Sequence, residues 1–282
     1  MIIIKFFSSF GTSDGCIEAY TRVSELKRDP LFNKTYTFTT NDNYTHAIIL
    51  NTAMPKLSIP KENVIGLAFE PIEFLNLTQQ FVNYAVSNIG RYFIGKKGHL
   101  PFPFEEHFSY MWHITPLTEM PKKTKKMSIM VSNKTHTNGH IYRHAICSSI
   151  LNTNLPIDIY GNGCKYYSTI NDDRIKGEFV SKEPHLEYQY HIAIENVVTP
   201  HYFSEKIMDT LLCNTTPIYL GCENIDNYFP NSVIKLSGNI EEDMAMLHQV
   251  CYTESPEFIK NVNVDKVKET ISFSNIVKMF ID

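Results

Sequence analysis

The sequence predicts an α/β protein built from two layered domains, and three observations carry that prediction. The chain has 282 residues, long for one compact domain and suited to two at roughly 100 to 200 residues each. Short apolar runs alternate with turn-rich stretches and helical patterns, as strands do when they feed helices in a largely parallel sheet. The alternation breaks at Pro101, Pro103, Pro116 and Pro121 and then restarts, which places a linker near Thr115–Lys126. The expected domains are therefore 1–118 and 119–282. An apolar fraction of 43% against 20% charged residues supplies an ordered core for each.

Taken in order, MIIIKFF opens on a core strand, because its apolar run is short for a signal peptide and Lys5 interrupts it. A helical stretch follows from Asp14 to Leu26, then the strands HAIIL and NVIGLAF. The second half restarts with the strand MSIMVSN, a helix over Arg143–Leu151, and the strands PIDIYG and YHIAIEN. The segment PHYFSEKIMDTLL carries Ile207, Met208, Leu211 and Leu212 on one face of a helix. PIYLG and SVIKL read as further strands, and helical segments run from Ile240 onward.

Composition excludes several function classes. A formal charge of -4 gives no reason to expect nucleic acid as a partner. The basic cluster KKTKK, Lys122 to Lys126, follows two prolines and reads as a solvated linker. No apolar run approaches the ~20 residues of a membrane span, so a soluble, cytoplasmic protein is expected. Acceptor-type triplets at Asn33, Asn43, Asn76, Asn133 and Asn214 are then expected to stay unmodified. Cys16, Cys147, Cys164, Cys213, Cys222 and Cys251 are scattered, which predicts free thiols. His136, His140 and His144 step by four, but Gly139 falls among them and no Cys or carboxylate completes a set, so they are expected to face solvent and hold no metal. Neither GxGxxG after a strand nor GxxxxGK[ST] occurs, which removes simple dehydrogenase and P-loop readings.

In two open α/β domains, ligands gather beyond the carboxyl ends of the strands, so strand-to-helix turns are the places to inspect. In PHYFSEKIMDTLL, Ser204 is a natural N-cap, leaving free N–H groups aimed out of the helix start. Lys206 in the first turn opposes the helix dipole, a sign that a bound phosphate would reverse. Glu205 can accept from a ribose diol and Tyr202 offers a ring to a base or sugar. The bland alternative is a Glu that merely complements the dipole beside a solvated Lys.

Read as a whole, YHIAIENVVTPHYFSEKIMDTLLCNTTPIYLGCENIDNYFPNSVIKL resembles the C-terminal core of the α-1,3-fucosyltransferases, glycosyltransferase family 10. The likeness rests on Glu195-Asn196 at a strand end, on Tyr202-x-x-Glu205-Lys206, on the Pro217–Gly221 strand and on the closing Pro230-x-Ser-Val-Ile. Upstream, VSNK, Arg143 and DIYGNGC also look like family elements. In the first half, GLAFEP ending in Glu70-Pro71 is similar to the place where members carry a catalytic carboxylate, although Phe69-Glu70-Pro71 departs from the usual wording. Ile194 and Val197 depart likewise, and the paired cysteines and membrane anchor of animal members are missing, which suggests a soluble microbial or viral member.

The resemblance implies a GT-B fold, with two Rossmann-like α/β domains facing a central cleft, the first for a glycan acceptor and the second for a GDP-sugar. It implies inverting transfer of L-fucose from GDP-β-L-fucose to a hydroxyl in α linkage. Glu70, following an apolar run that would raise its pKa, would be the general base. Arg143, Lys206 and the helix start would stabilise charge on the departing GDP, and Glu205 would hold the ribose. Glu195 would orient the fucose or brace the cleft, with Asn196 tying the turn. The chain contains no Asp-x-Asp, the pair by which metal-dependent transferases hold a cation against a diphosphate, so no metal or other cofactor is expected. Tyr92, Phe93, Phe102 and Trp112 are candidate sugar platforms, with core packing as the alternative. Two other functions stay open: the same fold using another sugar nucleotide, or a degenerate protein that binds a glycan or nucleotide without catalysis.

Overall fold

The computed structural model describes residues 1–23 and 34–281. The helix expected to reach Leu26 is described up to Val23, and its last residues, like the triplet at Asn33, lie outside the described residues. The chain forms two compact units: Met1–Thr115 with Thr199–Ser204 and Glu269–Asp282, and Pro116–Val198 with Glu205–Lys268.

The first unit contains β1 (Ile2–Ser8), α1 (Ser13–Val23), β2 (Tyr36–Phe38), β3 (His46–Leu50), β4 (Val64–Leu67), α2 (Gln79–Asn88), β5 (Arg91–Ile94) and β6 (Phe104–Glu106). Among the described residues these strands make one sheet in the order β2-β1-β3-β4-β5-β6, parallel at every pairing. HAIIL and VIGL are apolar throughout because the middle of a parallel sheet is covered on both faces, and Ala47 to Leu50 and Val64 to Leu67 are all buried. Thr78 caps α2 by accepting from the Phe81 N–H at 3.2 Å.

The second unit contains β7 (Lys125–Met130), α3 (Asn138–Leu151), β8 (Ile157–Tyr160), β9 (Ile175–Gly177), α4 (Glu183–Leu186), β10 (Tyr188–Ile194), α5 (Glu205–Leu212), β11 (Thr216–Leu220), β12 (Ile234–Lys235) and α6 (Ile240–Tyr252). Its described strands form a second parallel sheet, ordered β12-β11-β10-β7-β8-β9. Met127, Ile129, Ile157, Ile159, Ile192 and Ile218 fill the core with the α3 face of Ile146, Cys147 and Ile150. The expected SVIKL strand shrinks to Ile234–Lys235, in keeping with the short edge strands by which sheets avoid pairing with other chains.

Two further elements, α7 (Val264–Ile271) and α8 (Ser274–Met279), close the chain. The division at 118/119 assigned everything after it to the second domain, yet Thr199–Ser204 and Glu269–Asp282 belong to the first unit. The reason is aromatic packing. Phe273 lies with its ring centroid 4.8 Å from Tyr20, 5.4 Å from Phe38, 6.0 Å from Tyr36 and 6.1 Å from Phe6, and burying such a side chain contributes about 2–3 kcal/mol. Phe203 stacks on Phe108 at 4.9 Å. Neither attraction leaves a trace in local periodicity.

The KKTKK segment is not a solvated linker. Lys125 and Lys126 begin β7 and lie over the rings of Tyr188 and Tyr190 at 5.3 and 5.2 Å. The Lys123 ammonium donates to the carbonyls of His185, Leu186 and Cys213 at 3.1, 3.0 and 2.8 Å and to Thr215 Oγ1 at 2.6 Å. It gathers the ends of α4 and α5 against the start of β7. All six cysteines are free and buried. Several asparagines occupy left-handed turn positions, Asn51, Asn76, Asn214 and Asn231 with φ of 53°, 50°, 53° and 53°, a conformation that their short polar side chains tolerate.

Candidate functional site

The second unit's sheet reverses its strand order between β7 and β10. From β7 the chain moves outward through β8 to β9, and from β10 it moves the other way through β11 to β12. Connections leaving adjacent strands in opposite directions open a crevice at the strands' carboxyl ends, where ligands of such sheets bind. Glu195 and Asn196 directly follow β10 at that edge.

Glu195 is 1% exposed and its N–H donates to the Leu220 carbonyl at 2.8 Å. A Cβ built on Gly139 would lie 1.9 Å from the Glu195 carbonyl oxygen, and one on Gly221 would lie 2.4 Å from Glu195 Cγ. Only glycine fits at either position without a shift. Gly139 therefore lets the start of α3 seat on the Glu195-Asn196 backbone, where its N–H donates to the Asn196 carbonyl at 3.1 Å. The sequence showed Gly139 only as a break among histidines. Its spacing signal, a glycine in the first turn after an N-cap threonine, became interpretable once the partner strand was known.

Lys206, in the first turn of α5, brings its ammonium to 3.6 Å from Glu195 Oε2 and 2.9 Å from Glu205 Oε1. Burial works against its charge, but the two carboxylates outweigh burial and hold the Lys206 pKa above the ordinary lysine value. The expected conflict between this lysine and the helix dipole is thus offset within the protein. Arg143 is buried, donating from Nε to the Gly139 carbonyl at 3.1 Å and from Nη2 to Asn196 Oδ1 at 2.5 Å. It is a fixed internal charge that orients Asn196, and not a flexible surface arm.

Not every predicted residue joins this group. Tyr202 and Ser204 belong to the first unit while Glu205 and Lys206 belong to the second. Tyr202 is 5% exposed, and a Cβ on Gly95 would lie 3.2 Å from Tyr202 Cβ, so the tyrosine is packed against the chain. Ser204 is buried immediately ahead of α5, at the N-cap position.

The histidine expectation needs correction. His140 is buried, its Nδ1 2.8 Å from Thr137 Oγ1, and burial, reinforced by Arg143 and Lys134, pushes its pKa down to about 4. His144 lies with Nδ1 2.9 Å from Tyr167 Oη and Nε2 2.9 Å from the Ser132 carbonyl. Of the three, only His136 faces solvent. Among the described residues, no group of three or more His, Cys, Asp or Glu is arranged to hold a metal ion, and no helix is long and apolar enough to cross a membrane.

Glu70 lies in the first unit, half-buried, past the carboxyl end of β4. A residue that the sequence reading missed sets that turn. Asn51 Oδ1 accepts from the Phe69 N–H at 2.7 Å, its own N–H donates to the Leu67 carbonyl at 2.9 Å, and its carbonyl accepts from Tyr92 Oη at 2.8 Å. Of the aromatic candidates, Tyr92 and Phe93 are fully buried core and Phe102 is exposed. Trp112 meets Phe69 and Phe10 at 5.3 and 5.8 Å, and its Nε1 is buried without a hydrogen-bond partner. Phe10, Phe69 and Trp112 thus form an aromatic cluster one residue from Glu70.

Comparison with known proteins gives this edge a context. Residues 120–248 match the model of the glycosyltransferase family 10 (fucosyltransferase) C-terminal domain. The chain is 28% identical over 132 residues to a protein of Acanthamoeba polyphaga mimivirus named as a proposed fucosyltransferase, a match covering 41% of this chain and 20% of that one. It is 32% identical over 85 residues to alpha-(1,3)-fucosyltransferase B of Drosophila melanogaster, covering 28% of this chain and 19% of that one. The matched stretch therefore spans about a fifth of the length of these relatives. A crystal structure of an alpha1,3-fucosyltransferase with GDP-fucose superposes with a TM-score of 0.58 at 14% identity, covering 99% of this chain and 89% of that one, which shows a shared GT-B type α/β fold.

Proposed function

We propose, from the match of residues 120–248 to the glycosyltransferase family 10 (fucosyltransferase) C-terminal model, that this protein transfers L-fucose from GDP-β-L-fucose to a hydroxyl of a glycan, with inversion to an α linkage. The observation that carries the reading is the assembly of Arg143, Glu195, Asn196 and Lys206 at the β7/β10 switch point. A cation held charged by two carboxylates is poised to trade one of them for a diphosphate. Glu205 is the one to yield, because its side chain is half exposed while that of Glu195 is fully buried. Released from Lys206, Glu205 accepts from the ribose hydroxyls of the donor.

In the transfer step the acceptor oxygen forms a bond to the anomeric carbon as the bond from that carbon to the β-phosphate oxygen breaks, and the electron pair leaves with GDP. Glu70 takes the acceptor's proton. Lys206, the fixed Arg143 charge and the positive end of the α5 dipole stabilise the negative charge developing on the diphosphate. The protein supplies that stabilisation from its own cations, so transfer is expected to persist in EDTA. The aromatic cluster of Phe10, Phe69 and Trp112 supplies apolar faces for an acceptor sugar.

The test is a transfer assay with GDP-fucose, GDP-mannose and UDP-sugars, run on wild type and Glu70→Gln. Transfer from GDP-fucose, falling about 100- to 10,000-fold in kcat for the variant with GDP affinity unchanged, supports the reading. Transfer that depends on added Mn²⁺, or from a UDP-sugar alone, contradicts it.

A further inference from the structure

A carboxylate that removes a proton from a loop can do so only if the loop's backbone is held in place. Glu70 lies past β4, which ends at Leu67, and the strands on either side of β4 continue to grip its tail. The Leu67 carbonyl accepts from the Asn51 N–H at 2.9 Å, and the Ala68 N–H donates to the Phe93 carbonyl at 2.9 Å. In a regular parallel ladder the residue whose N–H donates to Leu67 would also accept, with its own carbonyl, from the Phe69 N–H. Here that second bond is made differently.

Asn51 has a φ of 53°, a left-handed conformation that ends β3 and turns its carbonyl out of the ladder. The side-chain Oδ1 takes the carbonyl's place and accepts from the Phe69 N–H at 2.7 Å. The displaced carbonyl accepts from Tyr92 Oη at 2.8 Å. Tyr92 is on β5 and reaches Asn51 across β4, where Gly66 pairs with Ile49 on one side and with Tyr92 on the other. A Cβ on Gly66 would lie 2.0 Å from Tyr92 Cδ2, so the ring lies over the glycine and no larger residue fits beneath it. On the other side of Glu70, the Pro71 carbonyl accepts from the Phe74 and Leu75 N–H groups at 2.9 and 3.2 Å, and a proline keeps the residue before it extended. Glu70 is strung between two fixed points.

We infer that Asn51 is a positioning residue for the transfer reaction: its amide oxygen, backed by Tyr92 across Gly66, fixes the backbone that carries Glu70. The inference rests on the reading of Glu70 as the base. The position makes two demands, tolerance of a positive φ and a short side-chain acceptor. Glycine meets the first alone, and of the other residues aspartate meets both.

The experiment is steady-state fucosyl transfer by wild type, Asn51→Gly, Asn51→Asp, Tyr92→Phe, Glu70→Gln and the double variant Asn51→Gly/Glu70→Gln. Asn51→Gly keeps the backbone conformation and removes the acceptor. It is expected to lower kcat about 10- to 100-fold, the scale of a small misplacement, with KM for GDP-fucose near wild type. Asn51→Asp should restore most of kcat, and Tyr92→Phe should lose less than Asn51→Gly. In the Glu70→Gln background, adding Asn51→Gly should cost little more, because a positioning residue has no base left to position. Where the glycine variant fails to fold, Tyr92→Phe takes its place in that double-variant comparison. A residue that only stabilises the fold would give the same loss in both backgrounds, and that result overturns the assignment of Asn51. So does wild-type kcat in Asn51→Gly beside an impaired Glu70→Gln. Wild-type kcat in Glu70→Gln overturns the base reading and this inference with it.

Discussion

Two lysines of the second unit, Lys123 and Lys206, are both drawn into the protein, and they differ in what surrounds their charge. Lys123 is ringed by neutral acceptors, three carbonyls and a hydroxyl, and burial pushes its pKa down to about 8. Lys206 faces two carboxylates, and its pKa is raised despite burial. A lysine among carbonyls uses its three donors to tie chain segments together, which is a structural task. A lysine between carboxylates keeps its charge at any pH near neutrality and can exchange one anion for another, which is a binding task. Under the proposed donor site, the same residue type in the same unit serves folding in one place and ligand chemistry in the other.

The largest effect that separates them is catalytic. Lys206→Ala is expected to lower kcat for fucosyl transfer about 100- to 1,000-fold, the usual cost of removing one donor that stabilises transition-state charge, and steady-state kinetics will read it. Lys123→Met should leave kcat of the folded protein near wild type. Its effect falls on stability, because the acceptors around the ammonium lose their donor, at about 2–3 kcal/mol by chemical denaturation. A Lys123→Met protein of wild-type stability would remove the structural half of the comparison.

What was legible in the sequence divides along the same line. Glu205 and Lys206 sit at the start of a helix whose periodicity is strong, so local pattern placed them, Glu195 and Asn196 came from the family resemblance at a strand end, and largely parallel sheets followed from the alternation of apolar runs and helices. Lys123 was misread because its acceptors lie in α4, after α5 and before β11, contacts that no window of neighbouring residues contains. The same applies to Gly139 and Gly221, whose constraint comes from Glu195 on another strand, and to Phe273, whose aromatic partners lie more than 200 positions earlier. Asn51 was passed over as one of many asparagines, since nothing local distinguishes the one that accepts from Phe69.

Acid should act on histidines before it acts on either lysine. Burial holds His140 and His113 at about 4 and His191 at about 3, below the ordinary 6.5 that they regain on unfolding. The unfolded chain then binds protons that the folded chain refuses, so stability is fully present above pH 6.5 and is lost as pH falls toward 4. A Tm that drops across that window is the expected scan, and His140→Asn should shrink part of the drop.

The smallest effect is alkaline. With Lys123 at about 8 in the folded state and at its ordinary 10.5 when unfolded, the unfolded state carries more protons between those values. Stability therefore gains a small rising contribution with pH there, one that Lys123→Met abolishes. GDP affinity should stay flat from pH 7 to 9, because Lys206 keeps its proton.

The central claim, that Lys206 is the charge that receives the donor's diphosphate while Lys123 is architectural, is tested most directly by titrating GDP into wild type, Lys206→Ala and Lys123→Met side by side by calorimetry. The account predicts an affinity about tenfold to a hundredfold weaker in Lys206→Ala and unchanged in folded Lys123→Met. Equal GDP affinity in wild type and Lys206→Ala would contradict it.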